Sequence, residues 1–587
     1  MKKLEEIRSR KAISAYGGSG SIIETLNNGS LLVEPYDYWN CYRGNNLFNQ
    51  EDVLNPRLLA AVQTSRPEYQ NIERLVKIPT PDLEEQIYTA RRGDLDNTIR
   101  SKYFPGWFFC PRCRRLHRLE EWRRLWTLDN RFDDNYPSCY SCSSRVRGRG
   151  ISRKKLEQVR FVLASLDEGK LIDIPFDRLW NLPNDGKVWN LDNEAPVTDE
   201  LYYKSTKGGD GLQSINIYRG SGKGAPHKNM GVIYNKYIVF NRGTDKGAYR
   251  ILLRNGSDVY FPNILSCIYI PRPSEQAKNR VLRKFQRGET AQEIYDDQED
   301  PRTALSIRQI EEIINQSIPD INTPDFRMEE FLYVTNPAIY NNNHQRKERD
   351  FWAIRYPNLK IGRIKKFYAL RELKETSVLL SYTRVSTESK KWWSIEEDRE
   401  VNDLNPKQKL PFNPRFQPTF MPASESYGEG LLFEIDSTGI TDMADLLTFT
   451  HTFCHLLMKE MEFLCGYPVT SLKEHIYHDG EIIGFLIYTI QGAEGSYGGL
   501  LSLMPNDINS DGTNGDAKIL KLIESANERA LDCPNDPICS NDKGHCFACV
   551  DLPETSCEQW NNNLDRGIFI KYVDNPEDNN SRIILDD

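Results

Sequence analysis

The residues best suited to chemistry are cysteines, and most of them fall into two tight groups. The first group has the pattern Cys110-Pro-Arg-Cys113, then 25 intervening residues, then Cys139-Tyr-Ser-Cys142. Each CxxC turn presents two thiolates to one ion, and two such turns supply the four sulfurs of a closed tetrahedral zinc site. Because four cysteines leave no open position for a catalytic water, we predict a structural Zn²⁺ here.

The second group lies near the C-terminus and contains five cysteines within 25 residues: Cys533, Cys539, Cys546, Cys549 and Cys557. One pair, Cys546 and Cys549, is a CxxC turn. Four of the five would complete a second structural zinc site, and the fifth would be a neighbour of the site or a spare thiol. The sequence does not decide which cysteine is the fifth. Clustered CxxC cysteines in a large chain favour metal over disulfides, so we expect a reducing compartment, the cytoplasm.

The tract around the first cysteine group is basic. Between Cys110 and Arg160 there are fourteen Lys and Arg against six Asp and Glu, a net charge of +8 in a chain of net charge −8. Arginine and lysine clusters contact phosphates without reading sequence. A solvated face balanced by acidic neighbours is the alternative. The residues predicted to contact DNA are Arg112, Arg114, Arg115, Arg145, Arg147, Arg149, Arg153, Lys154 and Lys155.

Two histidines, His451 and His455, are spaced by four residues on a predicted helix. Zinc peptidases use this spacing with a glutamate directly after the first histidine, but Thr452 stands there. We therefore expect the pair to be satisfied side chains on an interface helix, and a metal role is the weaker alternative.

No complete catalytic constellation is found, so no catalytic residue is predicted. The run from Arg219 to Gly224 resembles a phosphate-binding loop, but Gly224 follows Lys223 where Ser or Thr is required. Ser496 lacks the first glycine of a hydrolase nucleophile turn. The chain is therefore not expected to be a P-loop ATPase on its own.

The whole chain has 587 residues, 27% of them charged, a mean hydropathy of −0.61 and a pI near 5.7. This composition excludes collagen-like, mostly disordered and membrane-embedded classes. No run of 18 apolar residues occurs, and the N-terminus lacks a secretory apolar stretch, so neither a membrane span nor a signal peptide is expected. An acidic protein would bind nucleic acid only through a local patch or with a partner.

Several elements are predicted from the spacing of apolar residues. Helices are expected over 154–166, 274–318, 441–465 and 515–530, and a buried strand over 481–490. The polar, glycine-rich segment 202–230 is predicted to be a loop. Asn27-Asn28-Gly29 predicts a hairpin between two short apolar runs.

These elements predict an α+β multidomain protein, with a zinc ribbon in the N-terminal third and a C-terminal α/β zinc-binding domain. The predicted segments are an N-terminal β-rich domain with a glycine loop (1–105), the zinc ribbon (106–150), an α+β domain (151–275), a helical segment (276–345), a β-rich central domain (346–440) and the zinc-binding domain (441–587).

A further set of short motifs is spread along the chain: His451-Thr-Phe-Cys-His455, Ser471-Leu-Lys-Glu474-His-Ile-Tyr477, Gly495-Ser-Tyr-Gly-Gly-Leu500, Asp536-Pro-Ile-Cys539, Cys546-Phe-Ala-Cys549, Leu552-Pro-Glu-Thr-Ser-Cys557, Tyr16-Gly-Gly-Ser-Gly20, Leu370-Arg-Glu372 with Tyr382-Thr-Arg384, and Met421-Pro-Ala423 with Gly428-Glu-Gly430. Together these motifs resemble the DrmB family, subunits of the DISARM antiphage defence system. The likeness extends from about residue 8 to residue 572, and the C-terminal motifs are its specific part.

The resemblance implies a C-terminal region related to the four-cysteine zinc-binding domain of certain DNA-repair helicases. It also implies a non-catalytic subunit that pairs with a Swi/Snf-type helicase, DrmA-like, in a complex that binds DNA. One departure is that residues 186–225 hold no cysteine, where the family often has a further set.

Two other functions stay open at this point. The first is a zinc-containing hydrolytic enzyme built around Glu474, the His451 and His455 helix and the Gly498-Gly499 turn, although neither an open metal position nor an activated nucleophile can be assembled. The second is a protein-only scaffold that acts without the helicase.

Overall fold

A computed structural model describes residues 17–24, 29–78, 99–128, 138–142, 144–146, 150–152, 154–183, 185–207, 213–273, 275–299, 304–317, 323, 325–489, 499–511, 518–542, 544–553 and 556–573. Both helices and strands occur throughout these residues, which confirms the mixed α and β class. No helix in these ranges combines the length and apolar character needed to span a membrane.

The strands of the described residues are Ile22–Glu24 (β1), Ser30–Val33 (β2), Arg74–Lys77 (β3), Ser101–Tyr103 (β4), Trp107–Phe109 (β5), Arg115–Arg118 (β6), Ser144–Val146 (β7), Gly150–Ser152 (β8), Glu157–Gln158 (β9), Phe161–Ala164 (β10), Leu171–Ile172 (β11), Val188–Asn190 (β12), Leu201–Lys207 (β13), Gln213–Arg219 (β14), His227–Asn229 (β15), Tyr237–Phe240 (β16), Gly247–Leu253 (β17), Phe261–Ile268 (β18), Gln345–Glu348 (β19), Phe351–Tyr356 (β20), Ile364–Thr383 (β21), Lys390–Ser394 (β22), Arg399–Leu404 (β23), Phe420–Ile435 (β24), Leu472–His478 (β25) and Ile483–Thr489 (β26).

The α-helices of the same residues are Asn45–Phe48 (α1), Pro56–Ser65 (α2), Leu119–Leu128 (α3), Met230–Tyr234 (α4), Glu275–Gln286 (α5), Ala291–Asp296 (α6), Ile307–Ile314 (α7), Phe326–Thr335 (α8), Met443–Cys465 (α9), Lys518–Leu531 (α10), Ile538–Asp542 (α11) and Arg566–Tyr572 (α12).

The chain forms two compact units, each assembled from non-contiguous stretches. The first comprises Met1–Leu54, Val62–Leu265 and Ser377–Ser424, and the second comprises Asn55–Ala61, Ser266–Thr376 and Glu425–Asp587. The six domains predicted from the sequence stay a prediction, because a division into two units does not test their boundaries.

The first unit is rich in small sheets. A six-stranded sheet has the order β15-β14-β13-β6-β5-β9, and a five-stranded sheet has the order β11-β10-β17-β16-β12. The expected hairpin forms, since β1 pairs antiparallel with β2, although Asn27 and Asn28 lie outside the described residues. The glycine loop before it needs glycine at Gly20, which has φ +87° and whose added Cβ would collide with the Tyr382 ring.

Two element predictions in this unit are wrong. Residues 154–166 form β9 and β10 rather than a helix, because β10 lies between β11 and β17 and is buried as a central strand. A short apolar run cannot be assigned to helix or strand by periodicity alone. The segment 202–230, predicted to be a loop, contains the β13–β14 hairpin and β15. Its many polar residues suggested a loop, but Tyr203 and Ile217 are buried in a hydrophobic core.

The second unit is organised by a large sheet and the helix α9. The strand order is β19-β20-β21-β24-β26-β25, antiparallel at β19–β20, β20–β21, β24–β26 and β25–β26. Strand β26 is buried at every position, because Phe485 and Ile487 face the core containing α9 while Leu486 and Tyr488 face the core containing α8.

Helix and strand predictions in this unit are confirmed at α9, α10 and β26. The region expected to be helical over 274–318 contains α5, α6 and α7, and both Ile310 and Ile313 of α7 are buried. Asp442 caps α9 by accepting a hydrogen bond from the Ala444 amide, and Gly466 ends it in the left-handed conformation.

Candidate metal centres

The first cluster lies at the end of a hairpin in the first unit. Cys110 follows β5 and Cys113 precedes β6, and the turn is closed by hydrogen bonds from the Cys110 amide to the Arg115 carbonyl (3.0 Å) and from the Arg114 amide to the Cys110 carbonyl (2.8 Å). Arg114 has φ +65°, the left-handed conformation that folds the knuckle back on itself. The turn thus presents both thiols to the same side.

The second knuckle of this cluster is held by the segment that follows it. The Cys139 amide donates to the Lys154 carbonyl (2.8 Å), and Ser138 forms an isolated bridge with Lys155. As a result the ligand sulfurs of Cys110, Cys113, Cys139 and Cys142 all lie within 4.8 Å of one another. The Cys113 and Cys139 sulfurs are 3.8 Å apart, and thiolates bound tetrahedrally at about 2.3 Å from Zn²⁺ are separated by about 3.8 Å.

Side chains of β5 point alternately to the two faces of its sheet, and this decides which of them pack beside the first cluster. Phe108 packs with the cysteines and Trp122, whose indole N–H donates to the Phe108 carbonyl (2.9 Å). Trp107 and Phe109 point to the opposite side of β5 and join another core. Burial raises the pKa of Cys110 to about 11, whereas the pKa of Cys139 is lowered because hydrogen bonds outweigh its burial.

The second cluster comprises Cys533, Cys539, Cys546 and Cys549, whose sulfurs also lie within 4.8 Å of one another. The sulfur of Cys546 is 3.6 Å from that of Cys533 and 3.6 Å from that of Cys549, and the Cys539–Cys549 separation is 3.7 Å. These distances again match the edges of a tetrahedral zinc–thiolate site. Three of the four cysteines are at most 5% exposed.

A buried arginine fixes the loop that carries the first two of these thiols. Arg566 is 4% exposed; its guanidinium donates to both carboxylate oxygens of Asp536 (2.7 and 2.9 Å) and to the Ala530 carbonyl (2.7 Å). Both contacts to Asp536 come from the same nitrogen, Nη2, and such charge-assisted hydrogen bonds are stronger than neutral ones. The loop between Cys533 and Cys539 is therefore held in place by a side chain from α12.

The thiol of Cys546 is prepared for metal binding. Its burial raises the pKa, but hydrogen bonds from the Asn535 side chain (3.3 Å) and from the Ala548 and Cys549 amides outweigh this, and the pKa is lowered to about 6. The thiolate is the form that binds metal. Both donor sets fit zinc.

The fifth cysteine of the C-terminal group lies apart from this cluster. Cys557 is buried, and its sulfur is 3.4 Å from His451 Nε2. Sequence reasoning did not connect it to the histidines. The available signals were a surplus fifth cysteine and two histidines with metal-ligand spacing.

The predicted DNA-contacting residues are described only in part. Arg112 is exposed in the first knuckle, and Lys154 and Lys155 are exposed beside the second. Arg115 is paired with Glu200 (3.1 Å) and donates to Ser141 Oγ (2.9 Å), so its charge is partly compensated. Three predicted residues and the side chain of a fourth lie outside the described residues: Arg147, Arg149, Arg153 and the Arg145 side chain.

The fold and these sites define a mixed α and β protein with two four-cysteine clusters able to hold metal ions. The chain is DrmB-like: it is 25% identical over 638 residues to the DISARM protein DrmB of Bacillus paralicheniformis, an alignment that covers 93% of this chain and 97% of the relative. The resemblance drawn from the motifs is thereby confirmed.

Two further comparisons add less. Residues 8–284 match the model of a family described as a domain of unknown function, DUF8724. A solved structure, the DUF1998 helicase MrfA bound to DNA, is 11% identical with a TM-score of 0.19, and the match covers 39% of this chain and 26% of the helicase. So low a score carries no argument about fold or function.

Proposed function

We propose that this protein is a non-catalytic accessory subunit of an antiphage defence complex, which pairs with a Swi/Snf-type helicase and helps it bind DNA. The observation that carries the proposal is the likeness to a DISARM protein over nearly the full length of both chains. None of the thirteen cysteines is in a disulfide, which suits the cytoplasm.

Both four-cysteine clusters act structurally in this proposal. Cys110, Cys113, Cys139 and Cys142 form the zinc ribbon, and Cys533, Cys539, Cys546 and Cys549 form the zinc site of the C-terminal domain, which contacts the helicase. Four thiolates fill a tetrahedral shell, so neither ion has a free position for water or substrate. ATP chemistry then belongs to the helicase.

The ribbon contributes to DNA binding through its basic residues. Arg112, Lys154 and Lys155 are exposed at the two knuckles, where they can contact phosphates in a chain whose overall charge is −8. The following arginines, Arg145, Arg147, Arg149 and Arg153, extend the same basic tract in the sequence. A positive tract on an acidic protein confines DNA to one surface.

The first test is purification of the tagged full-length chain from its native host. We expect a Swi/Snf-type helicase to co-purify. Recovery of the chain alone, with its clusters loaded, would favour a scaffold that acts without the helicase and would contradict the proposal.

The second test measures DNA binding by the purified complex as a function of salt. The variant Arg112→Gln/Lys154→Gln/Lys155→Gln should bind less tightly, and its salt slope should be shallower by about 2–3, since each phosphate contact contributes about 0.9. The matched control Lys223→Gln/Arg242→Gln/Lys246→Gln removes three exposed charges that lie outside the knuckle segments of the sequence, and it should leave the slope unchanged. Equal slopes for the knuckle variant and the wild type would exclude the ribbon as a DNA contact.

A further inference from the structure

A third group of metal-binding side chains is buried in the second unit. His451 and His455 lie one turn apart on α9, Glu474 lies on β25, and Cys557 lies in the segment after the second cysteine cluster. One donor atom from each of the four lies within 4.8 Å of all the others. Their exposures are 1%, 0%, 0% and 3%.

The separations between these donor atoms fit a single tetrahedral ion. His451 Nε2 is 3.0 Å from Glu474 Oε1, His455 Nε2 is 3.2 Å from Glu474 Oε2, and Cys557 Sγ is 3.4 Å from His451 Nε2. Nitrogen and oxygen ligands at about 2.0–2.1 Å and sulfur at about 2.3 Å from Zn²⁺ are separated by about 3.3–3.6 Å. The four groups thus already surround one point.

Protein contacts alone leave this group unsatisfied. The Nδ1–H of His455 donates to the Val550 carbonyl (3.2 Å), because a carbonyl can only accept. In the neutral ring this leaves a lone pair on Nε2, which faces the Glu474 carboxylate. Neither His455 Nε2 nor Glu474 Oε2 has a hydrogen-bond partner, although both are fully buried. Two buried acceptors facing each other are costly, and a cation between them removes the cost.

The sulfur of Cys557 is held as metal-bound thiolates are. It accepts hydrogen bonds from the Gln559 and Asn561 amides, each at 3.3 Å. The Asn561 side chain in turn accepts from the Leu552 amide (2.9 Å) and donates to the Leu552 carbonyl (2.8 Å). Such outer contacts orient ligands and stabilise a thiolate.

We infer that His451, His455, Glu474 and Cys557 form a third metal site, which binds Zn²⁺. Two imidazoles, one carboxylate and one thiolate are all zinc ligands, and four protein ligands close the shell. The ion would join the segment at Cys557 to α9 and β25, so its role is structural. This site is independent of the proposed helicase and DNA contacts.

Neighbouring buried polar groups are already paired and need no ion. His475, next to Glu474 in the sequence, lies 3.0 Å from the Tyr488 hydroxyl and 3.1 Å from the Ser266 hydroxyl through Nε2. It is as buried as the proposed ligands but is outside their group. Its substitution therefore provides a control for damage to the core without loss of a ligand.

The test is the zinc content of the purified full-length protein, measured by elemental mass spectrometry. We expect three zinc ions per wild-type chain and two in Glu474→Gln and Cys557→Ser. The controls Cys465→Ser, a thiol outside all three groups at the end of α9, and His475→Asn should keep three. Two ions in the wild type and an unchanged two in Glu474→Gln would overturn the site.

Anomalous scattering at the zinc edge from wild-type crystals gives the answer without any variant, should the variants fail to fold. A peak between His451 and Cys557 supports the site. Peaks at the two four-cysteine clusters with none at His451 overturn it, and an iron signal there overturns the assignment of zinc. Failure to recover a helicase would count against the proposed function alone.

Discussion

The Asn535 amide group shows how a single side chain can prepare a metal ligand. It donates to the Cys546 sulfur (3.3 Å), and it contributes to the lowered pKa of that thiol despite the opposing effect of burial. The cost of removing a proton before zinc binds is thus reduced at one ligand of the cluster. Hydrogen bonds to sulfur are part of the site as much as the sulfurs are.

Asn535→Ala should weaken zinc binding at the C-terminal cluster by about 10- to 100-fold, the usual effect of losing such an outer contact. The physical reason is that the pKa of Cys546 rises when the hydrogen bond is lost. Competition with a chromophoric chelator measures the affinity. Asn541→Ala, an exposed asparagine on α11, is the matched control. Equal affinities for the two variants would refute the role of Asn535.

Glu330 and Glu329 are neighbours on α8 with opposite pKa shifts. Burial raises the pKa of Glu330 to about 7, beyond what Arg57 and Arg327 offset. Glu329 is also partly buried, which raises its pKa. The ion pairs with Arg57 (Nε to Oε2, 2.7 Å) and with Arg272 have the larger effect, so the pKa of Glu329 is lowered. The folded state therefore favours the protonated form of Glu330 and the charged form of Glu329.

Glu330→Gln should gain stability relative to wild type as pH rises. The pKa of Glu330 is about 4.5 in the unfolded chain and about 7 in the folded protein. Protonated Glu330 therefore stabilises the wild-type fold fully below about pH 4.5, and this contribution is lost as the pH rises through about 7. At about 1.4 kcal/mol per pKa unit, the variant should gain up to about 3 kcal/mol between pH 5 and pH 8. Denaturant unfolding across this pH range measures it.

Glu329→Gln is the control with the opposite sign. Its lowered pKa stabilises the fold above the unfolded value, and this contribution is lost as pH falls. The variant should therefore be destabilised most at neutral pH. Parallel pH profiles for the two variants would contradict this account.

At the scale of elements, β26 is packed on both faces of the sheet, which leaves no space for a side chain at Gly484. A Cβ added at Gly484 would collide with the Phe433 carbonyl and lie 2.5 Å from Phe331 Cε2. Phe331 belongs to α8, which packs on the face of the sheet opposite α9. The absence of a side chain at Gly484 therefore sets how closely α8 approaches the sheet.

Gly484→Ala should destabilise the second unit by about 1–3 kcal/mol, because the collision involves backbone and a packed ring. Thermal unfolding followed by circular dichroism measures the loss. Gly222→Ala is the matched control, since an added Cβ there meets nothing within 4 Å. A wild-type Tm for Gly484→Ala would show that α8 can shift away from the sheet.

At the scale of the whole molecule, a metal ion bound at either four-cysteine cluster would be linked to folding. The first cluster is carried by short turns that pack on Phe108 and Trp122, and the second by turns and the five-residue helix α11. Metal that binds only the folded state stabilises it by mass action. Each unit contains one such cluster, so a bound ion would stabilise each unit.

Removing zinc with excess chelator should lower Tm by about 5–10 °C and expose residues 533–553 to proteolysis. Withdrawing an ion that is present at about 1,000 times its Kd lowers the free energy of unfolding by about 4 kcal/mol. The Tm of a large domain falls by about 2 °C or more for each kcal/mol lost. Differential scanning fluorimetry and limited proteolysis measure both effects. Chelator already saturated with zinc is the control. An unchanged Tm after verified zinc loss would contradict a structural role.

The sequence by itself determined the first four-cysteine group and the Cys546–Cys549 pair of the second, because CxxC spacing fixes which thiols share a turn. It also determined α9, α10 and β26 through long periodic or continuous apolar patterns. Only the tertiary structure decided that β10 is a strand, since pairing on both sides settles what a short apolar run leaves open. The tertiary structure also showed that Cys557 lies apart from the other four C-terminal cysteines and next to His451. Possible metal ligands from a helix, a strand and a distant turn come together only when the chain is folded.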